Sequence, residues 1–257
     1  SSINGMIYMR GQARDYDQWG AGDGHGANPG WSWAECLPHF LAHEDFHLGA
    51  DALHAAPGFD PTGARAGGEW RVEKQRLRWD VLDAFAAAAQ QAGIPASADF
   101  NRGDNEGVGY FEVNQKAGVR WNASKAFLRP ALRRPNLEVW TGAHIRRVLL
   151  APEGERRAVG VEVQGVGQDA PRQALLKPGG EVLLCAGAIG TPQLLQLSGI
   201  GPGALLQAHG VDVQHDLPGV GANLQDHLQI RAVFQVDGVK TLNTMANSLW
   251  GKALIGL

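Results

Sequence analysis

The sequence predicts a mixed α/β (α+β) fold, and three local patterns support this prediction. The apolar run at residues 182–186, which precedes a turn and a helix-like stretch, is typical of a strand buried on both faces. Residues 79–92 repeat apolar side chains at helical spacing, and residues 158–164 alternate apolar and polar side chains like a half-buried strand. The 35 glycines indicate that loops between these elements are numerous.

The strand–turn–helix unit at residues 181–202 is the centre of the prediction. Gly187 allows the turn, Thr191 with Pro192 is typical of a helix start, and Ser198-Gly199 is typical of a helix end. A helix N-terminus presents free N–H groups that suit a phosphate, although an ordinary core unit has the same pattern. From this pattern by itself, the core unit is the safer interpretation.

Helices are predicted where a cap, an apolar periodicity and a stop residue follow in order. Ser32 caps a helix that continues past a kink at Pro38 and ends at Gly49. The other predicted helices are residues 79–92 with Leu82 and Phe85 inward and Gly93 at the end, 124–132 broken by Pro130, 204–209, and the start of 242–257.

Strands are predicted from alternation or from short apolar runs between turn residues. They are residues 6–10, 69–73, 108–115, 137–140, 144–150, 158–164, 182–186, 211–214 and 228–236, with a turn at 153–156.

Composition excludes several classes of protein. With 23 basic against 26 acidic residues, a net charge of −3 gives no electrostatic case for nucleic-acid binding. Cys36 and Cys185 are far apart in sequence, so no disulfide framework is indicated and a reducing, cytoplasmic location is expected. No apolar run reaches membrane-spanning length, so no transmembrane segment is predicted, and peripheral membrane attachment stays open.

His43-Glu44-x-x-His47 matches the H-E-x-x-H pattern of zinc hydrolases. Two histidines one helical turn apart can bind zinc while the glutamate activates water. The plainer interpretation is that Phe40, Leu41 and Phe46 form the core face of this helix. We therefore expect no metal site here and keep a zinc hydrolase as an alternative.

Four stretches in a fixed order resemble the glucose–methanol–choline (GMC) oxidoreductases. Residues 1–11 read S-S-I-N-G-M-x-Y-x-R-G and residues 190–201 read G-T-P-Q-L-L-x-x-S-G-I-G, which are similar to the two signatures of that family. Residues 133–139 and 217–227 complete the resemblance. Neither the N-terminal G-x-G-x-x-G turn of the family nor its C-terminal catalytic segment is found in the sequence, so an internal piece of a longer enzyme is expected.

The resemblance implies an FAD site built from both signatures. Members with covalently bound flavin carry a histidine at the place of Ile3, so non-covalent FAD is expected here. The implied cofactor-binding residues are Ser1, Ser2, Asn4, Gly5, Met6, Ile7, Ile145, Ala186 and Gly187.

The implied activity is oxidation of an alcohol, choline or another primary alcohol, by hydride transfer to flavin N5. The partners would be a small-molecule alcohol and an electron acceptor such as oxygen, a quinone or a dye. Because the catalytic histidine of the family is expected in the C-terminal segment, no catalytic residue is assigned, and the chain by itself is expected to be inactive. A non-redox lyase of the same fold, similar to hydroxynitrile lyases, is an alternative, and the role of Asp226-His227 stays open.

The resemblance also implies two interleaved domains. Residues 1–66 and 121–227 would belong to the FAD-binding domain, the first including a lid loop. Residues 67–120 and 228–257 would belong to an antiparallel-sheet substrate domain.

Overall fold

The computed structural model of the chain describes residues 5–22, 26–55, 68–76, 78–152, 155–167, 170–247 and 249–251. They form two compact units, one of Ser1–Leu137 with Phe234–Leu257 and one of Glu138–Val233. Both units mix helices and strands, which confirms the predicted α/β class. No helix in the described ranges is long and apolar enough to cross a membrane.

The helices are α1 (Ala13–Ala21), α2 (Trp33–His43), α3 (Asp80–Gln91), α4 (Arg129–Ala131), α5 (Gly187–Leu197), α6 (Gly203–Ala208) and α7 (Leu242–Ala246), with a π-helical turn at Ser124–Leu128 before α4. The strands are β1 (Glu44–Phe46), β2 (Trp70–Lys74), β3 (Glu112–Val113), β4 (Gln115–Lys116), β5 (Val119–Arg120), β6 (Ala143–Leu150), β7 (Ala158–Gly165), β8 (Arg172–Leu175), β9 (Ile200–Gly201) and β10 (His215–Asp216).

The first unit is built around a three-stranded sheet in the order β1-β2-β3. Strand β1 runs parallel to β2, and β3 runs antiparallel to β2. The buried side chains of Tyr8, Phe46 and Val72 pack together on this sheet, with Trp70 half-buried against them. This small apolar cluster fixes the N-terminal segment to the sheet.

Helix α2 begins where the sequence predicts but ends six residues early. The Glu35 carboxylate accepts hydrogen bonds from the Ser32 backbone N–H at 3.1 Å and from the Ser32 hydroxyl at 2.6 Å, which ties the first turn to its cap. The predicted continuation to Gly49 is wrong, because residues 44–46 leave the helix and become the buried strand β1. Pairing with β2 satisfies their backbone groups, and this tertiary contact overrides the helical periodicity.

The second unit contains the antiparallel sheet β6-β7-β8, with α5 packed on β6. The Ser198 hydroxyl accepts a hydrogen bond from the Val148 N–H at 2.8 Å and donates one to the Leu194 carbonyl at 2.6 Å. It thereby joins the C-terminal end of α5 to the middle of β6. The predicted strands at 144–150 and 158–164 are confirmed, and β8 is an addition to them.

Five predicted strands are not formed. Residues 6–10 make only an isolated bridge at Ile7, and residues 211–214 precede the short strand β10. The other three, residues 137–140, 182–186 and 228–236, pair with no strand in the described part of the chain. Leu183 is 79% exposed and Leu228 is 92% exposed. These apolar side chains therefore lie at the surface, although the strand prediction placed them in the interior. Half of the predicted turn at 153–156 lies outside the described residues.

Candidate functional site

The N-terminal signature segment lies along β3 of the first unit. The Asn114 N–H donates to the Met6 carbonyl at 2.7 Å, and the Tyr8 N–H donates to the Glu112 carbonyl at 2.9 Å. Between them Ile7 forms a bridge with Val113. Of the predicted cofactor-binding residues in this signature, Met6 and Ile7 are therefore held along β3 with Gly5 directly before them, while Ser1, Ser2 and Asn4 lie outside the described residues.

Met6 adopts a left-handed backbone conformation with φ 64°. A residue with a Cβ pays roughly 1–2 kcal/mol to adopt this left-handed conformation. The conformation persists where neighbouring contacts hold the backbone on both sides. The bond from Asn114 and the buried Tyr8 side chain supply that restraint.

Arg10, two residues after Tyr8, is buried at the centre of a polar network. Its guanidinium forms an ion pair with Glu44. It also donates to the Leu53 carbonyl at 2.5 Å, to the Asn101 carbonyl at 3.3 Å and to the Tyr8 hydroxyl at 3.1 Å. Its backbone N–H donates to the Asn101 side-chain oxygen at 3.0 Å. One residue thus connects segments that lie 34 to 91 residues apart in the sequence.

His54 extends this network between two carboxylates. Its Nδ1 lies 3.1 Å from Glu44 Oε1, and its Nε2 lies 2.7 Å from Asp99 Oδ2. The imidazole ring stacks on Phe46 with ring centres 3.8 Å apart. Burial by itself would lower the pKa of His54, but the hydrogen bonds to Asp99 and Glu44 outweigh it and raise the pKa.

The H-E-x-x-H residues do not share one helix. His43 is the last residue of α2, Glu44 begins β1, and His47 follows β1. The Glu44 carboxylate is occupied by Arg10 and His54, and the nearest ion-pair partner of His47 is Glu112, 3.9 Å from Nε2 to Oε1. In the described ranges no three His, Cys, Asp or Glu side chains are grouped so that they could hold a metal ion.

Two other predicted cofactor-binding residues meet in the second unit. Ile145 on β6 and Ala186, directly before α5, line one groove of about 500 Å³. Its walls include Val161 on β7 and Leu184 from the unpaired segment at 182–186. Gly187, the first residue of α5, has φ 81° and turns the chain into the helix.

The apolar face of α3 was predicted to point inward, but it is partly exposed. Leu82 and Phe85 are 46% and 52% exposed, and they line a groove of about 400 Å³ together with Ile7 and Phe111. Asp226-His227 is exposed, and the His227 N–H donates to the Asp226 side chain at 2.9 Å. No role was predicted for Arg10 from the sequence, although its position before a glycine inside a signature was a signal that could have singled it out.

Comparison with known proteins agrees with these features. The family model described as GMC oxidoreductase matches residues 1–229. The chain is 42% identical over 256 residues to an oxygen-dependent choline dehydrogenase of Photobacterium profundum, covering 100% of the chain and 42% of that protein. It is 38% identical over 250 residues to an oxygen-dependent choline dehydrogenase of Rhizobium rhizogenes, covering 97% of the chain and 41% of that protein.

Solved structures show the same relationship. A pyridoxine 4-oxidase from Mesorbium loti matches with a TM-score of 0.70 and 32% identity, over 84% of the chain and 39% of that protein. A fungal aryl-alcohol oxidase matches with a TM-score of 0.72 and 30% identity, over 87% of the chain and 38% of that protein. The chain spans about two fifths of the length of the curated relatives it matches. From its sequence signatures, its fold and the family model that covers most of it, the chain belongs to the GMC oxidoreductase family.

Proposed function

We propose that the whole protein is an FAD-dependent oxidoreductase that acts on the CH–OH group of choline or another primary alcohol. Family membership supports flavin-dependent alcohol oxidation in general. The relatives described as oxygen-dependent choline dehydrogenases favour choline as substrate and oxygen as electron acceptor.

The observation that carries this proposal is the groove shared by Ile145 and Ala186. These residues are 41 positions apart in the sequence, and the resemblance of the sequence to the GMC family implies a role in FAD binding for both. Apolar side chains on both sides suit a planar aromatic ring system, and the segment at 182–186 has main-chain groups that no strand in the described ranges pairs with. The N-terminus of the 11-residue helix α5 follows directly and favours an anionic group. The residues present therefore fit a dinucleotide.

In this proposal the chain binds and orients the cofactor. In the second unit, the groove of Ile145 and Ala186 would hold one aromatic part of FAD. In the first unit, the resemblance implies a role in FAD binding for Gly5, Met6 and Ile7, and the backbone of Met6 and Ile7 is fixed on β3. What FAD supplies when bound is a two-electron acceptor for the hydride of an alcohol, which amino-acid side chains cannot provide.

The domain assignment belongs to the same proposal. Residues 1–66 and 121–227 would form part of the FAD-binding domain, and residues 67–120 and 228–257 would form part of the substrate domain. Because Ile3 stands where a histidyl link would form, the FAD would be held without a covalent bond.

The proposal is tested on the whole purified protein. We expect a flavin absorption spectrum that bleaches when choline or another primary alcohol is added without oxygen, and yellow colour in the supernatant after acid precipitation. Ala186→Trp, which fills the groove, should weaken FAD binding by about tenfold or more. Val166→Trp introduces the same ring at a residue of the same unit that is 85% exposed, and it should leave FAD binding unchanged.

Three outcomes would contradict parts of the proposal. A whole protein that neither retains nor binds FAD would exclude the function itself. Flavin bound with equal affinity by the Ala186→Trp variant would move the site away from the groove, and flavin that stays with the precipitate would exclude non-covalent binding.

A further inference from the structure

Four ionisable side chains form a closed network inside the first unit, here called the Arg10 network: Arg10, Glu44, His54 and Asp99. The side chains of the first three are at most 1% exposed, and that of Asp99 is 12% exposed. Buried charges are costly unless each one is paired and hydrogen-bonded. The arrangement of pairs in this network therefore determines which protonation states the site can hold.

The contacts of His54 with two carboxylates favour one protonation state. A carboxylate only accepts hydrogen bonds, and a neutral imidazole has only one N–H to donate. Here both ring nitrogens face carboxylates, at 3.1 Å for Glu44 and 2.7 Å for Asp99. Both contacts are satisfied at once when both nitrogens carry a proton, which makes His54 an imidazolium.

Charge balance supports the same state. With His54 protonated, the network holds two positive and two negative groups and is neutral. With His54 neutral, it would hold an uncompensated negative charge in the interior, which is unfavourable. Arg10 Nη2 lies 3.4 Å from His54 Nδ1, and both groups share the Glu44 carboxylate as counter-ion.

The other titratable groups around the network are Asp51, Arg102, Glu112, Tyr8, Tyr16, His43 and His47. Burial lowers the pKa values of His43 and His47, which favours their neutral forms. Asp51 and Arg102 form an exposed ion pair at 2.8 Å, and Arg102 also lies 3.9 Å from Asp99. Burial raises the pKa values of Glu112 and of Tyr8, which favours their neutral forms. Near neutral pH, His54 is consequently the group whose charge can change.

The network holds the segment proposed to contact FAD. Arg10 donates to the Tyr8 hydroxyl at 3.1 Å, and the Asn101 amide both accepts from the Arg10 N–H at 3.0 Å and donates to the Tyr8 carbonyl at 3.3 Å. Two residues before Tyr8, Met6 is in its left-handed conformation. A strained backbone persists only where neighbouring contacts fix it. Loss of the network contacts to Tyr8 is therefore expected to remove one of the restraints on Met6, while the hydrogen bond from Asn114 remains.

We propose that Arg10 and the His54 imidazolium are positioning residues that hold residues 5–8 in the conformation that contacts FAD. This inference rests on the proposed function, because it assumes that residues 5–8 contact FAD. Neither side chain is assigned a contact with FAD. Arg10 acts through Tyr8 and Asn101. His54 acts through Glu44, the counter-ion of Arg10, and through Asp99, which accepts from the Asn101 N–H at 2.8 Å.

The test compares Arg10→Lys and His54→Gln with wild type in the whole protein. Arg10→Lys keeps the charge but loses the planar fork. His54→Gln loses the positive charge and carries both N–H donors on one nitrogen, so it does not reproduce the contacts that two separate ring nitrogens make with Glu44 and Asp99. We expect FAD affinity to fall by about tenfold or more in each variant, with a shifted flavin absorption spectrum and midpoint potential. Arg71→Lys is the matched control, since Arg71 is half-buried in the same unit and paired with Asp45 at 2.6 Å and Glu73 at 3.1 Å.

A pH titration gives a readout that a purely structural role would not move. Wild type should lose FAD as the pH rises through the raised pKa of His54, and His54→Gln should lack this transition. Asp99→Asn is a milder variant at the edge of the network and removes one cause of the raised pKa. It should move the transition to lower pH, and it keeps the test decisive where the other two variants do not fold.

The outcomes separate this inference from the proposed function. A wild-type protein without FAD contradicts the proposed function, and nitrogen NMR shifts of His54 then test its imidazolium state directly. A neutral ring at pH 7 would overturn the inference. So would FAD-bound wild type whose affinity, spectrum, potential and pH profile are unchanged in the folded variants.

Discussion

Arg10 and Glu44 form an ion pair in which both side chains are completely buried. The partners are 34 residues apart in sequence and connect the N-terminal signature segment to the strand that follows α2. Glu44 also accepts from the Ala55 N–H at 3.2 Å and lies 3.1 Å from His54 Nδ1. Its hydrogen bonds are thus directed to the interior of the first unit.

Glu44→Gln should strongly destabilise the protein. The substitution keeps the size of the side chain but leaves the Arg10 guanidinium without its buried counter-charge. Breaking a buried pair in this way costs about 3–5 kcal/mol. The free energy of unfolding from denaturant titration measures the loss.

The control is Glu155→Gln, since Glu155 and Arg157 pair at 3.1 Å with both side chains more than 60% exposed. An exposed pair contributes about 0–1 kcal/mol. Equal losses in the two variants would contradict the central role of the Arg10–Glu44 pair.

Ser198→Ala should destabilise the second unit by about 1–3 kcal/mol. The buried Ser198 hydroxyl accepts from the Val148 N–H, and alanine would leave that donor without a partner. Gln193→Ala changes an exposed side chain on the same helix and should lie within about 0.5 kcal/mol of wild type. Thermal or denaturant unfolding of both variants tests the difference, and a silent Ser198→Ala variant would contradict the assigned hydrogen bond.

The elements that the sequence predicted well depend on local signals. The Ser32 cap, the end of α3 near Gly93 and the alternation in β7 are readable within one or two turns of chain. Contacts between distant residues could not be read in this way. The end of α2 at His43 depends on a partner strand at residues 70–74, and the Arg10 network joins positions 10, 44, 54 and 99.

The candidate site shows the same limit. Ile145 and Ala186 were singled out by resemblance, and the fold then brought them into one groove. Residues 182–186 were predicted as a buried strand because all are apolar or small, but hydrophobicity does not reveal which strand pairs with them.

Purified protein should contain no stoichiometric zinc. His43 and His47 are separated by a strand, so they do not take the i and i+4 positions of one helix that a zinc site of this type needs. Elemental analysis of the protein after dialysis measures the metal content. About one zinc per chain that is lost in His43→Ala would revive the hydrolase alternative.

Acid should destabilise the protein partly through His43. Burial lowers the pKa of His43 in the folded state, so the unfolded chain binds a proton more readily. The contribution of neutral His43 to the free energy of unfolding is therefore complete above the ordinary imidazole pKa, and it is lost as the pH falls to the lowered pKa of the folded state. This pH dependence is opposite in sign to that of His54.

His43→Phe removes this titrating group, so the free energy of unfolding should depend less on pH in acid. A phenyl ring fits at this position because Phe40 and Phe127 already contact the His43 ring. The free energy of unfolding measured between about pH 7 and pH 5 tests this. The exposed His209→Gln variant is the control, and an unchanged slope in His43→Phe would contradict the prediction.

The 257-residue chain expressed by itself should bind FAD more weakly than the whole protein, by more than about tenfold, and should not oxidise alcohols. One wall of the proposed groove is the segment at 182–186, whose main chain pairs with no strand in the described ranges and whose Leu183 is 79% exposed. A segment without a neighbouring strand must be ordered when FAD binds. The free-energy cost of that ordering weakens the binding of FAD. Fluorescence quenching of FAD by the chain and by the whole protein, measured side by side, gives the two dissociation constants. Equal constants, together with bleaching of the flavin by choline in the chain alone, would show that the groove needs no further support and that the chain carries its own proton acceptor.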